Sequence, residues 1–300
     1  MEQIVFASMS YSNVLDPHVS LFVNSIRKYA GTFSTNPIWL FVPTDEEEIP
    51  EDVRENYSSM NVTLFPVITH EEDSKFPFVN TAYAASKAEA LAKNKTKLLA
   101  WIGINSIIIN EPKHFILDEQ KNLGYRPVHH TLIGSVFDEP IDNFWKVIYE
   151  TCNVSEDQIF PMKTHVDGKI IRPYFNSGFQ VVRPSRGLFQ LWWDKFRELY
   201  KDPIFSDYYN KSDLYVTFIH QAVLSGVILS NLRKEELIEL PFDYNYPLHL
   251  YPGSLEEYQP ENLNQMITMR YYMEKLIDSK WMETVPLHDP IKSWVEEQLS

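Results

Sequence analysis

The chain has 300 residues, 44% of them apolar and 23% charged, a globular composition too hydrophobic for intrinsic disorder. With 27 Lys and Arg against 41 Asp and Glu, its net charge of -14 works against nucleic acid and anionic membrane surfaces as partners. The single cysteine, Cys152, excludes an intramolecular disulfide and a zinc site of several thiolates, and the glycines form neither G-x-G nor G-x-x-x-x-G-K, the fingerprints of dinucleotide and P-loop binding.

Met1 to Ala7 has no basic region followed by an apolar stretch, so the start reads as a strand and not as a signal peptide. The longest nearly apolar run, Leu98 to Ile109, is too short for a bilayer and is broken by Gly103, Asn105 and Ser106. The expectation is a soluble, cytoplasmic protein with no transmembrane segment. Ile4 to Met9 predicts a strand buried on both faces, followed after Pro17 by a helix over His18 to Tyr29, with Val19, Phe22, Val23 and Ile26 on its inner face. Ile38 to Val42 is a second strand, the acidic segment Asp45 to Asp52 a loop and short helix, and Val62 to Val67 a third strand. Glu71-Glu72-Asp73 reads as a solvated loop. Asn80 to Lys93 is an Ala-rich helix and Leu98 to Ile102 a fourth buried strand. This alternation predicts an α/β fold with a mostly parallel central sheet flanked by helices, whose ligands bind beyond the carboxyl ends of the strands, at Met9 to Asn13 and Gly103 to Ser106.

Beyond residue 112 the elements are shorter: an extended stretch near Val128 to Ile133, a helix near Ile141 to Cys152, a hairpin around Lys163 to Val182, and helices at Leu188 to Tyr200 and Tyr215 to Leu224. His129 and His130 on a strand would point to opposite faces, against a chelating pair. No repeat or long linker divides the chain, so residues 1–300 read as one domain, with a nucleotide-binding subregion at 1–112 and an acceptor-side subregion at 113–300.

Five segments together resemble the GT-A fold nucleotide-sugar glycosyltransferases, particularly the retaining group of glycogenin and the bacterial lipopolysaccharide galactosyltransferases. They are Ile4-Val5-Phe6-Ala7-Ser8 with Ser25-Ile26; Leu98 to Pro112 around Gly103-Ile104-Asn105; Tyr174-Phe175-Asn176-Ser177-Gly178; Gln221 with Leu224; and Leu240-Pro241 with Tyr244-Asn245. The resemblance implies transfer of a sugar from a nucleotide diphosphate, a UDP-sugar, to a carbohydrate, lipid or protein acceptor. In the family a D-x-D turn holds Mn2+ or Mg2+ on the diphosphate. Here Gly103 and Asn105 stand in place of the two aspartates, His220 replaces the aspartate before Gln221, Ser225 replaces an asparagine, and Met9 stands near the acid that closes on the base. His288, Lys292 and Trp294 are only loosely similar to the closing H-x-x-G-x-x-K-P-W.

Carried over by this resemblance, Asn176 and Gln221 are the candidate catalytic residues. Against that, Asn176 can be a turn residue bonding its own backbone, and Gln221 a buried amide bonding a loop. Candidate substrate contacts are Ala7, Tyr11, Asn105, Ser106 and Asn245, with Lys87, Arg172 and Lys292 as the cations for the diphosphate. A replacement metal set would draw on Asn105, His165, Asp167 and His288. Trp281 and the tail Ser293 to Leu299 would either close over the site or make a homodimer contact. A non-catalytic relative that binds a sugar or nucleotide, or serves a structural role, is the alternative. Cations converging on Asn105 and Asn176 would favour transfer, and a pocket filled by Met9 and Trp101 would favour the alternative.

Overall fold

A computed structural model describes residues 2–12, 14–43, 49–67, 75–273 and 284–299. In chain order the main elements are β1 (Glu2–Met9), α1 (Pro17–Tyr29), β2 (Ile38–Val42), α2 (Glu51–Ser59), β3 (Val62–Pro66), α3 (Val79–Ala92), β4 (Thr96–Ile102) and β5 (Ser106–Ile108). There follow β6 (Leu123–Pro127), α4 (Asn143–Cys152), β7 (Met162–Lys163), β8 (Ile170–Ile171), β9 (Phe175–Val182) and α5 (Leu188–Leu199). The last are α6 (Ser206–Lys211), α7 (Asp213–Asn231), β10 (Leu237–Glu239), β11 (Tyr246–Pro247), β12 (Thr268–Arg270) and α8 (Ile291–Leu299).

Seven strands form the central sheet in the order β3-β2-β1-β4-β9-β6-β10. The first four are mutually parallel, β6 and β10 are parallel to each other, and β9 runs antiparallel to both β4 and β6. Strands from residues beyond 112 therefore complete the sheet begun by the first hundred. Successive residues of β1 point to opposite faces and both faces are covered: Val5, Ala7 and Met9 pack under α3, α5 and α7, while Ile4 and Phe6 pack under α1. Asp16 caps α1 by accepting the N–H of His18 at 2.9 Å, and Pro17 opens the helix where its missing N–H costs no bond. A second, three-stranded sheet, β11-β12-β5, lies beside the first, with β12 antiparallel to β5.

The first hundred residues follow the predicted alternation closely; the later ones differ in four places. Residues 128–133, expected as a strand, form an irregular segment, and the strand is β6 just before them. The expected hairpin around Lys163 to Val182 reduces to the two-residue pair β7 and β8, because β9 joins the central sheet between β4 and β6. The helix expected over Tyr215 to Leu224 extends to Asp213–Asn231, is apolar on almost every side, and is long enough to cross a membrane; 67% of its most apolar stretch is buried inside the molecule. The tail Ser293 to Leu299 belongs to α8, which docks on α1 through an edge-on contact of Trp294 with Tyr29 and a bond from Asn24 to Gln298 at 2.6 Å. Asn13, Asp45 to Glu48, Glu71-Glu72-Asp73 and Trp281 lie outside the described residues.

Candidate functional site

The chain leaves β1 toward β2 and β3 on one side and later returns to β4 on the other, so the loops following β1 and β4 diverge and open a crevice at their carboxyl ends. A cleft of about 560 Å³ lies there, a volume typical of small-ligand sites. Met9 and Tyr11 come from the end of β1, Gly103 and Asn105 from the turn after β4, and Asn176, Ser177 and Gly178 from β9. Phe78 just before α3, His220 and Gln221 from α7, His129 and His130 after β6, and Arg270 at the end of β12 also line it, with Trp101, Tyr271 and Tyr272 among its other aromatic residues.

One wall is a hydrogen-bonded join between β9 and α7. Gln221 Oε1 accepts the Ser177 N–H at 2.9 Å and lies 3.2 Å from Ser177 Oγ. His220 Nδ1 lies 2.8 Å from the Thr217 carbonyl and so carries the ring hydrogen, which leaves Nε2, 2.9 Å from Ser177 Oγ, as an acceptor. Burial pushes this imidazole down to about 3, so it is neutral and too weak a base to activate the serine. Ser225 ties the same elements together, accepting the Phe175 N–H at 3.1 Å and donating to the Gln221 carbonyl at 2.9 Å. His220 also stacks on Phe78, with ring centroids 4.4 Å apart.

The opposite wall is built by pairing β12 with β5, which sets Arg270 opposite Ser106 and swings its guanidinium over the turn at Gly103 and Asn105. Asn105 locks that turn to β12: its N–H₂ donates to the Tyr271 carbonyl at 2.8 Å, and its own carbonyl accepts the Tyr271 N–H at 3.0 Å. Arg270 Nη1 donates to Asn176 Oδ1 at 3.2 Å, and the same oxygen accepts the Gly178 N–H at 3.1 Å. Asn176 Nδ2 and His129 Nε2 are 3.5 Å apart. Burial, reinforced by the nearby His165 and Arg270, holds His129 well below the usual imidazole range, so it too is neutral.

Of the residues singled out in the sequence, Asn176, Gln221, Asn105 and Tyr11 line one cleft. Asn176 also bonds its own backbone two residues on, and Gln221 uses its carbonyl oxygen to hold Ser177, so the local roles weighed for both are present as well. The other expected contacts lie elsewhere. Ala7 is fully buried within β1, in register between Trp39 of β2 and Trp101 of β4. Ser106 is buried in β5 and Asn245 is a buried left-handed turn residue whose N–H donates to Thr268 Oγ1 at 2.6 Å; neither lines the cleft. Lys87 is exposed on α3 over the Tyr83 ring, and Lys292 sits on α8. Arg172 spends its guanidinium on Ser135 Oγ and the carbonyls of Val136 and Glu139. Among the described residues the arginine or lysine at the cleft is Arg270, which sequence reasoning missed. No local sequence signal marks it, because it is brought there by the long-range pairing of β12 with β5.

The proposed replacement metal set does not assemble. His165 is buried against Arg126, 3.4 Å from its Nη2, and burial lowers it to about 3. The Asp167 carboxylate is taken by the N–H and hydroxyl of Thr131 and by Thr164. His288 is exposed, and its N–H donates to Asn264. Among the described residues no three His, Cys, Asp or Glu side chains converge, and none of the cleft-lining residues is a carboxylate. A divalent ion at the turn would meet amide oxygens and a guanidinium, a donor set that does not fit Mn2+ or Mg2+. His129 and His130, expected on opposite faces of a strand, both line the cleft because their segment is irregular.

No curated protein sequence matches the chain. Among solved structures, an active-site mutant of LgtC superposes with a TM-score of 0.51 at 12% identity, covering 90% of this chain and 86% of that one. The galactosyltransferase LgtC in complex with donor and acceptor sugar analogues gives 0.49 at 14% identity, with 90% and 86% covered. The apo form of the glycosyltransferase GlyE from Streptococcus pneumoniae TIGR4 gives 0.50 at 10% identity, covering 91% of this chain but 55% of GlyE, so the chain spans about half of that protein. The likeness to LgtC shows that the fold is that of the GT-A glycosyltransferases. The sequence profile of the Rhodobacterales glycosyltransferase domain matches residues 9–228, most of the chain, including β2 to β4, β6, β9 and most of α7, and the protein belongs to that family.

Proposed function

We propose that the cleft binds a nucleotide-diphospho-sugar, a UDP-sugar by the family resemblance, and transfers its sugar to a hydroxyl acceptor without a divalent ion at the turn after β4. The observation that carries the reading is the meeting of Asn105, Asn176 and Gln221, drawn from three distant parts of the chain, at the strand ends where open α/β sheets bind ligands. In this arrangement the amides of Asn176 and Gln221 face the sugar hydroxyls. Tyr11 and Tyr272, both substantially exposed at the cleft, offer rings for the base. Transfer breaks the bond from the anomeric carbon to the phosphate oxygen and forms one to the acceptor oxygen, so the site must steady the departing diphosphate. The LgtC complex with donor and acceptor analogues is one protein of this fold that binds both.

A second reading, a relative that binds the donor without transferring from it, is favoured by the absence of carboxylates among the described cleft residues and by Met9 and Trp101 in its wall. Thermal melting against UDP, GDP and their glucose and galactose conjugates, followed by assay of nucleotide release, separates the two. A bound ligand stabilises the folded state by mass action, so a UDP-sugar raises the melting temperature and Asn176→Ala abolishes the rise. Binding with no nucleotide release under any acceptor supports the second reading, and no shift with any nucleotide at millimolar concentration overturns both.

A further inference from the structure

We propose that Arg270 is the diphosphate-binding residue of this site, its guanidinium taking the place at the Gly103-Ile104-Asn105 turn that a divalent ion would otherwise need; this rests on the nucleotide-sugar reading above. The seat for this side chain is carved by glycines. A Cβ on Gly178 would lie 2.5 Å from Arg270 Nη1, and one on Gly103 would lie 2.9 Å from Asn105 Oδ1 and 3.9 Å from Arg270 Nη2. A side chain at Gly178 would force the guanidinium to shift from this seat.

The bonding of Arg270 sets it apart from the other arginines held against the fold. Arg27 donates to three backbone carbonyls, Arg183 to three, Arg172 to two carbonyls and a hydroxyl, and Arg126 to Glu239 and the Leu240 carbonyl. The guanidiniums of Arg27, Arg172 and Arg183 are satisfied internally, and that of Arg126 has a carboxylate partner although its Nε is left without a bond. Among the described residues Arg270 has one bond, to the neutral amide oxygen of Asn176, and no carboxylate pairs with it. A guanidinium has five N–H donors in a planar fork, and one left open in a cleft is arranged for an anion that arrives with several oxygens. The neighbouring imidazoles of His129 and His220 are neutral, so of these three groups Arg270 is the one that brings charge to such an anion.

Titration calorimetry on the full chain in EDTA, with UDP, inorganic pyrophosphate and uridine as probes, tests this on the wild type, Arg270→Lys and Arg270→Gln. UDP binds the wild type without added metal, Arg270→Gln weakens it by about 10- to 100-fold, Arg270→Lys by less, and uridine is unaffected. If Arg270→Gln fails to fold, Gly178→Ala displaces the guanidinium while leaving its charge, and produces the same selective loss of UDP and pyrophosphate. UDP binding that requires manganese and is unchanged in Arg270→Gln overturns the assignment while leaving the donor reading intact. Pyrophosphate binding lost in Arg270→Gln, with UDP no tighter than pyrophosphate, supports the anion site and overturns the nucleotide reading. No binding of any probe by the wild type overturns both.

Discussion

Glu89 on α3 is fully buried and caps the start of α5, its Oε2 accepting the N–H groups of Phe189 at 2.8 Å and Gln190 at 3.0 Å. Burial raises its carboxyl and these bonds lower it; burial wins, moving it from 4.5 to about 7. At 1.36 kcal/mol per unit, that rise is worth about 3 kcal/mol of folding free energy. The folded-state value lies above the unfolded one, so this stability is fully present below pH 4.5 and is lost as the pH rises through about 7, where the folded protein must carry a buried carboxylate. Glu89→Gln keeps an acceptor for the two N–H groups and removes the ionisation. Urea unfolding of both proteins across this range should show the wild type losing about 3 kcal/mol relative to Glu89→Gln between acid and mildly alkaline buffer. A stability difference that stays constant with pH would refute the reasoning, because it would mean that the helix N–H groups fully offset the desolvation.

Three further expectations follow from particular contacts. Gly226→Ala on α7 places a Cβ 2.6 Å from Cys152 Sγ and 3.3 Å from an Ile148 methyl, and should cost about 1–3 kcal/mol in chemical denaturation by forcing α4 and α7 apart. Cys152 is buried, and desolvation pushes its thiol up to about 11, so Ellman's reagent should leave it unlabelled at neutral pH until the protein is unfolded. Ser177→Ala leaves the Gln221 bond to the backbone N–H but strips His220 Nε2 of its hydroxyl partner; it should destabilise the fold by about 1–3 kcal/mol, measured by thermal melting, and weaken donor binding only secondarily.

The first half of the fold was legible because β1, β2 and β4 are buried on both faces: β2 falls on Ile38 to Val42 as expected, and the Ala-rich run gives α3 because small residues let it pack closely on the sheet and on α5. The second half was not, because its strands owe their pairing to tertiary partners. β6 contains Gly124, buried Arg126 and Pro127, and no periodicity marks it; its arginine is tolerable there because Glu239 on β10 lies 2.8 Å away. Val128 to Ile133 is apolar enough for a strand, yet the chain bends there to form a cleft wall. The site divides in the same way. Asn105, Asn176 and Gln221 sit in motifs whose order is visible along the chain. Arg270 reaches the cleft only because β12 pairs with β5, a long-range register that no local pattern announces.

The most direct measurement is a crystal structure of the protein with a UDP-sugar bound in the presence of chelator. The account predicts the diphosphate against the guanidinium of Arg270 and the sugar against Asn176 and Gln221, with no metal at Gly103 to Asn105. A nucleotide bound away from the carboxyl ends of β1 and β4, or a diphosphate that leaves Arg270 untouched, would contradict it.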